Sequence, residues 1–110
     1  MRKRLTFEGS SYDALVAFPP LARSLAGYEL DLVQKGEQPD DWKPMPSIGR
    51  GVSEIRLHQP GAFRVIYIAR FEEAVYVLHC FEKKSQRTSR SDIELAAARY
   101  KALARGRDRR

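Results

Sequence analysis

The chain has 110 residues, the usual length of one domain built on a single hydrophobic core. Its 20 Lys and Arg residues outnumber 14 Asp and Glu residues, and the net charge of +6 favours contact with polyanions such as nucleic acid. Cys80 is the only cysteine, which excludes an intrachain disulfide and suits a reducing compartment, so we expect a cytoplasmic protein. Apolar runs such as residues 65–69 are far shorter than the roughly 20 residues of a membrane span, and the basic start does not lead into a signal-peptide core. We therefore expect no contact with a membrane.

The first elements along the chain are predicted to be a short strand and a helical hairpin. Residues 3–7 can form the strand, and Ser10 with Asp13 three residues later makes the capping pattern of a helix N-terminus. Pro19 lacks an amide hydrogen and disfavours helical angles in the residue before it, so the first helix should end there. Pro20 suits the first turn of a second helix.

The second helix is predicted from an apolar stripe and should end before a loop. Its apolar residues recur at helical spacing, with two more on the flanks: Leu21, Leu25, Tyr28 and Leu32, then Leu30 and Val33. Gly36 is suited to cap the C-terminus, and residues 37–51 are rich in the turn formers Pro and Gly. Trp42 in this loop could stack on an unpaired base, but a Trp between prolines more often covers an edge of the core, which is the role we expect.

Three strand-like segments follow the loop. They are Val52–His58, residues 62–71 and residues 74–81, separated by Gln59-Pro60-Gly61 and by Glu72-Glu73. Both separators are short enough for turns between neighbouring strands. An antiparallel meander is therefore expected.

A final helix is predicted after the meander. Ser89 and Asp92 repeat the capping pattern, and an apolar stripe that can pack on a sheet follows: Ile93, Ala96, Ala97, Tyr100 and Leu103. The chain closes with a basic tail, residues 105–110, which we expect to be solvated and mobile. Helices before and after a run of strands indicate an α+β fold.

Several motifs in a fixed order resemble a known family. They are Phe18-Pro19, Leu25, Gln34-Lys35-Gly36, Gly49-Arg50-Gly51-Val52-Ser53-Glu54-Ile55-Arg56, Phe63-Arg64-Val65-Ile66-Tyr67 and Leu78-His79-Cys80-Phe81-Glu82-Lys83-Lys84-Ser85-Gln86. In this combination the chain resembles the phage-derived branch of RelE/HigB toxins, from about Tyr12 to about Arg99. The resemblance implies one domain over residues 1–110, with a RelE-like α+β fold. In that fold an N-terminal helical hairpin and a C-terminal helix pack on an antiparallel sheet of about four strands.

The resemblance also implies a function. Such toxins belong to type II toxin–antitoxin systems and act as ribosome-dependent mRNA endonucleases without a metal or other cofactor. They stop translation until a cognate antitoxin neutralises them. The expected partners are therefore the ribosome, mRNA and an antitoxin, in this branch often a small helix-turn-helix DNA-binding protein. Two alternatives stay open: a ParE-like toxin that inhibits gyrase on the same scaffold, and a phage-derived binding protein that kept the fold without the activity.

Cleavage of RNA by its own 2′-hydroxyl needs a proton acceptor, positive charge around the phosphate and a proton donor for the departing 5′-oxygen. Alternation along the strand Val52–His58 places Glu54 and Arg56 on one face. Glu54 could serve as a general base or as an orienting group, and Arg56 as a phosphate clamp. The alternative is an ion pair without a catalytic part.

Arg64 is the strongest single candidate for catalysis. It lies between Phe63 and Val65 in a segment so apolar that a free guanidinium must face a cleft or a partner charge. A planar guanidinium can hold a phosphate with two hydrogen bonds, and the resemblance implies a catalytic arginine at this position. The alternative is a structural pair with Glu54.

Lys83 and Lys84 follow the last strand, where the resemblance implies an arginine or lysine that contacts the phosphate. Adjacent strand residues point to opposite sides, so only one of the two should face the cleft. His79 shares the strand parity of Lys83 and could transfer a proton near pH 7, although a lone strand histidine is more often structural. The segment that follows holds neither histidine nor tyrosine, so the residues alone leave the proton donor open.

Further basic residues are candidates for contacts with RNA or the ribosome. Arg87 and Arg90 lie near the start of the final helix, where guanidinium groups and free amides can both meet phosphates. Lys43 and Arg50 in the Pro-rich loop belong to the same predicted set. A solvated loop is the alternative for the residues after the last strand. Two histidines and one cysteine do not form a metal site, so no metal is expected.

Overall fold

The computed structural model describes residues 2–58 and 61–108. Its elements are β1 (Arg4–Phe7), α1 (Ser11–Val16), α2 (Pro20–Gln34), β2 (Trp42–Pro44), β3 (Val52–His58), β4 (Ala62–Ile68), β5 (Ala74–Lys83) and α3 (Arg90–Asp108). They confirm the α+β fold with an N-terminal helical hairpin and a C-terminal helix. Gln59 and Pro60 of the predicted turn, and Arg109 and Arg110 of the predicted tail, lie outside the described residues.

The strands form a sheet in the order β1-β5-β4-β3-β2. β3, β4 and β5 make the predicted antiparallel meander, in which Val65 pairs with Ile55 on one side and with Cys80 on the other. Over the described residues the sheet has five strands, one more than the four expected, and it is mixed because β1 runs parallel to β5. The helical hairpin carries the chain from β1 at one edge to β2 at the opposite edge, and the strands then return to β1.

The additional strand β2 comes from the loop rich in Pro and Gly. It is only three residues long and is held by antiparallel pairing with β3, where Trp42 is opposite Ile55. Trp42 remains 37% exposed, so it covers the core less completely than expected. The chain before β2 is tied to α2 by the buried Glu29, whose Oε1 accepts a hydrogen bond from the Asp40 amide at 2.7 Å.

Helices cover both faces of the sheet. On the face of α1 and α2, the core includes Ile55 and Val65. On the face of α3, Ile66 and Leu78 pack with Leu103. Because strand side chains alternate between the faces, the even-numbered residues of β3 lie on the side of α3.

The buried face of α2 differs from the predicted stripe. Leu21 and Tyr28 are 60% and 55% exposed. The residues that α2 buries in the first core are Ala22, Ala26, Leu30 and Val33. Ala22 and Ala26 lie one position after Leu21 and Leu25, and Leu30 and Val33 are the two residues predicted on the flanks. An offset of one residue turns a helical face by about 100°. The predicted stripe is therefore wrong at Leu21 and Tyr28, whereas Leu25 packs against the core and the predicted flanks lie in it. The centre of the stripe was displaced because α2 carries apolar residues on both faces.

Local rules for helix ends succeed at some ends and fail at one. Ser89 caps α3, since its Oγ accepts a hydrogen bond from the Asp92 amide at 3.1 Å. Gly36 follows α2 with a φ of 86°, a conformation that suits glycine. Ser10 makes no side-chain cap for α1, contrary to the prediction. Its hydroxyl accepts a hydrogen bond from Arg99 Nη2 at 2.9 Å, so α3 uses the group that the capping pattern had assigned to α1.

The last helix is longer than predicted. It continues to Asp108, so residues 105–108 of the predicted tail are helical. Arg107 forms an ion pair with Glu73, and its guanidinium lies 3.7 Å from the centre of the Phe71 ring.

Over residues 2–58 and 61–108, no helix combines the length and the apolar character that crossing a membrane requires.

Candidate functional site

The candidate site lies where β3, β4 and β5 meet the beginning of α3. Alternation along β3 places Glu54 and Arg56 on the face that α3 covers. On the neighbouring strand β4, Arg64 is the direct register partner of Arg56. Like charges directly opposite each other repel, so this pair of arginines needs a counter-charge close by.

Glu54 supplies that counter-charge from a position that solvent does not reach. The residue is 1% exposed. Its Oε1 lies 3.6 Å from Arg56 Nε and 3.7 Å from Arg64 Nε. Its Oε2 accepts a hydrogen bond from Thr88 Oγ1 at 3.1 Å. A buried carboxylate engaged on both oxygens suits an orienting group better than a general base that meets the substrate.

Arg64 lies one layer below the surface. It is 5% exposed, and its Nη1 donates a hydrogen bond to the Phe63 carbonyl at 3.0 Å. Among the described residues, its Nε has no hydrogen-bond partner. Burial lowers the pKa of Arg64, while the neighbouring Glu54 raises it. From this depth the guanidinium adds positive potential to the surface above and holds Glu54.

A β-bulge in β5 decides which lysine faces the site. Ile66 pairs with His79, but the next residue, Tyr67, pairs with Val77, so Leu78 is an extra residue in the strand. The bulge changes the alternation of β5. Even-numbered residues face α3 before the bulge, and odd-numbered residues face it afterwards.

Lys83 is therefore the lysine on the side of the arginines. It lines the same cleft as Arg56. Burial lowers the pKa of Lys83, and the positive charge of Arg64 lowers it further. The Lys84 side chain is 82% exposed, and its Nζ lies 4.0 Å from Glu82 Oε1, outside that cleft. Of the two lysines predicted to be catalytic, the structure brings only Lys83 to the arginines.

An open cleft of about 470 Å³ lies above these residues. The end of β2 and the chain that follows it form one side, and the segment after β5 with the first turn of α3 forms the other. Its basic lining residues are Lys43, Arg56, Lys83 and Arg87. Among the described residues, the lining includes no Asp or Glu. A concentration of positive charge in a concave surface attracts phosphate groups.

The residues predicted to bind RNA fall into two groups. Lys43 and Arg87 line the cleft. The Arg90 side chain, at the start of α3, is 92% exposed, and its Nε lies 3.5 Å from Glu94 Oε2. Arg50 precedes β3, at the strand end away from Arg56, and its carbonyl accepts a hydrogen bond from Arg70. Arg90 and Arg50 are therefore not brought into the cleft.

His79 connects the sheet to α3. Its Nε2 lies 2.7 Å from Asp92 Oδ1, and its ring stacks on Phe81 with the ring centres 4.9 Å apart. The residue is 8% exposed and does not line the cleft. This environment favours the structural alternative for His79 over proton transfer to a substrate.

Reasoning from sequence missed two parts of the site. The first is Thr88, because nothing local to a polar loop residue indicates that it will hydrogen-bond to a strand. The second part is an apolar side of the cleft, formed by Pro44, Met45, Pro46 and Ile93. The prolines predict a loop and Ile93 belongs to the predicted apolar stripe of the last helix, but neither pattern indicates that these residues meet at one cleft.

A comparison with known protein families finds a match over most of the chain. Residues 13–101 match a family model described as "Phage derived protein Gp49-like (DUF891)". The matched range covers more than half of the chain and includes the residues named above for the cleft. No curated protein sequence matches the chain.

Proposed function

We propose that this chain, which belongs to the phage-derived Gp49-like family, is a toxin that cleaves mRNA on the ribosome. That family is associated with the toxins of toxin–antitoxin systems. In this proposal the protein acts in the cytoplasm and a cognate antitoxin neutralises it. The observation that carries the proposal is the basic cleft, in which Arg56 and Lys83 lie above the buried pair of Arg64 and Glu54.

The proposed reaction is attack of an RNA 2′-oxygen on the adjacent phosphorus. A bond forms between O2′ and phosphorus while the bond from phosphorus to O5′ breaks, which leaves a 2′,3′-cyclic phosphate and a 5′-hydroxyl. The proton of the 2′-hydroxyl has to be accepted, and a proton has to reach the departing O5′. Negative charge grows on the phosphate oxygens in the transition state, where nearby cations stabilise it.

Arg56 is assigned to the phosphate. Its side chain lines the cleft, and its Nε lies 3.6 Å from Oε1 of the buried Glu54. Such support keeps a guanidinium oriented before the substrate arrives. Arg64 acts as a positioning residue in this assignment, because its Nε lies 3.7 Å from the same Glu54 Oε1 and its side chain does not line the cleft.

Lys83 is assigned to proton transfer. A lysine accepts a proton only as a neutral amine, and burial together with the charge of Arg64 lowers the pKa of Lys83. A larger fraction of neutral amine is then present near neutral pH than for an ordinary lysine. Once protonated, the same ammonium group can donate to O5′. This assignment supplies the proton-transfer group that the segment after β5 does not.

Expression of the chain without an antitoxin tests the proposal. Growth should stop, and mRNA bound to translating ribosomes should be cut. Lys83→Ala should abolish the cleavage, whereas Lys84→Ala, the same change at an exposed neighbour, should leave it intact. Growth arrest with intact mRNA and stalled gyrase would contradict the proposal and favour the ParE-like alternative. Normal growth with a folded protein and intact mRNA would favour a binding protein without activity.

A further inference from the structure

The cleft has an apolar side for which the cleavage chemistry has no use. It is formed by Pro44, Met45 and Pro46, from the end of β2 and the chain after it, together with Ile93 from the first turn of α3. A phosphate gains nothing from apolar neighbours, and apolar surface kept in an open cleft is unfavourable in water. The arrangement is therefore better suited to a ligand with an apolar part next to its charge.

The apolar side is held in place before any ligand binds. The Met45 amide donates to the Val52 carbonyl at 2.8 Å, and the Ile48 amide donates to the Met45 carbonyl at 3.0 Å. Met45 is 7% exposed and belongs to the core on the side of α3. The pyrrolidine rings of Pro44 and Pro46 fix one backbone angle on each side of it. A preformed wall loses little conformational freedom when a ligand binds.

Polar groups complete the cleft at the same place. Ser47 and Gln86 line it and are exposed. The Gln86 amide offers both donors and an acceptor, so it can meet the hydrogen-bonding edge of a nucleobase. The Thr88 hydroxyl also lines the cleft but is already committed to Glu54.

We propose that the apolar side of the cleft is a subsite for one unstacked nucleobase, next to the phosphate held by Arg56. The inference rests on the proposed function, because RNA as the substrate comes from there. Enzymes that act on single nucleotides hold a base between apolar side chains and recognise its polar edge by hydrogen bonds. A volume of about 470 Å³ lies within the range of small-ligand sites.

Binding of nucleotides to the isolated protein tests the subsite. The four nucleoside 5′-monophosphates should bind more tightly than ribose 5-phosphate, which carries the same sugar and phosphate but no base. Methyl resonances of Met45 and Ile93 should shift with the nucleotides and not with ribose 5-phosphate. The methyls of Ile55, buried on the opposite face of the sheet, should not respond to either ligand.

Shortening one side chain of the apolar side of the cleft, and one outside the cleft, gives a variant and its matched control. Ile93→Ala should weaken binding of the nucleoside monophosphates about five- to tenfold, the loss expected when roughly 40–55 Å² of apolar contact is removed. Binding of ribose 5-phosphate should stay as it was. Leu95→Ala, the control, truncates an apolar residue of α3 that is 40% exposed and outside the cleft, and should change neither affinity.

A second variant covers the possibility that Ile93→Ala does not fold. Gln86 lies in an exposed segment, so Gln86→Ala should fold and should change the relative affinities of the four monophosphates. Equal binding of nucleoside monophosphates and ribose 5-phosphate would overturn the subsite. Because no ribosome is present, this result is independent of the test of cleavage. A protein that cuts mRNA but does not bind the base would contradict only the subsite. A protein that binds the base but leaves mRNA intact would contradict only the proposed function.

Discussion

Replacing Glu54 by Gln should destabilise the protein, because the change leaves a buried arginine without its counter-charge. The Arg64 side chain is 7% exposed, and its Nε lies 3.7 Å from Glu54 Oε1. Two unit charges about 4 Å apart interact by roughly 4 kcal/mol at an effective dielectric constant near 20. Removing one partner of a buried pair typically costs about 3–5 kcal/mol. The distance is too long for a short charge-assisted hydrogen bond, and Gln can still accept from Thr88, so we expect a loss near the lower limit, about 3 kcal/mol.

Urea unfolding monitored by circular dichroism measures this loss. With a slope of about 1–3 kcal/mol per molar urea, a loss of about 3 kcal/mol moves the midpoint down by at least about 1 M. The control Glu82→Gln removes the same charge from an exposed glutamate 4.0 Å from Lys84, and should change stability by less than about 1 kcal/mol. The double variant Glu54→Gln with Arg64→Met removes the stranded charge and should recover part of the loss.

Two results would refute the reasoning about this pair. One is a loss in Glu54→Gln no larger than that in Glu82→Gln, which would mean that the buried arginine does not need its carboxylate. The other is a double variant less stable than Glu54→Gln alone, which would mean that the Arg64 charge still stabilises the fold after Glu54 is neutralised.

Three further predictions concern protonation. The rate of cleavage by the wild type should increase with pH through a pKa below 10.5, because burial and then the charge of Arg64 lower the pKa of Lys83. The Lys83→Arg variant should not show this increase. A pH profile of Lys83→Arg equal to that of the wild type would exclude Lys83 as the base. Burial raises the pKa of the Cys80 thiol to about 12, so a thiol reagent at pH 8 should modify it only after unfolding in urea; rapid modification of the native protein would contradict this burial. Burial also raises the pKa of Glu29 above 4.5, so the folded state binds the proton more tightly and the free energy of unfolding should fall as pH rises above 4.5. Glu29→Gln should flatten that fall in urea titrations, and an equally steep fall in the variant would assign it to other groups.

Patterns that depend on near neighbours in the chain predicted much of the fold. Alternation placed Glu54 and Arg56 together, and the capping pair of Ser89 and Asp92 located the start of α3. Both depend on backbone geometry that repeats every two to four residues, so a single sequence suffices. Ser10 shows the limit of such rules, because Arg99 from a distant helix takes the hydroxyl that the pattern assigned to α1.

The candidate site was predictable as a set of residue types but not as an arrangement. A charge in an apolar strand singles out Arg64 in the sequence, yet its depth below the surface depends on how β4 is covered by its neighbours. Thr88 and Ile93 lie far from Arg56 in sequence and meet the same cleft only because α3 returns across the sheet. No local pattern records a contact of that kind.

The sequence by itself determined four features: the α+β class, the antiparallel meander, the excess of positive charge and the face shared by Glu54 and Arg56. The tertiary structure alone decided between Lys83 and Lys84. An extra residue at Leu78 reverses the alternation of β5, and Arg99 holds it there by donating a hydrogen bond from Nη1 to the Leu78 carbonyl at 2.8 Å. Alternation is a property of an uninterrupted strand, whereas a bulge is set by the strands and the helix packed against it. Which lysine joins the arginines therefore depends on contacts between elements far apart in the chain.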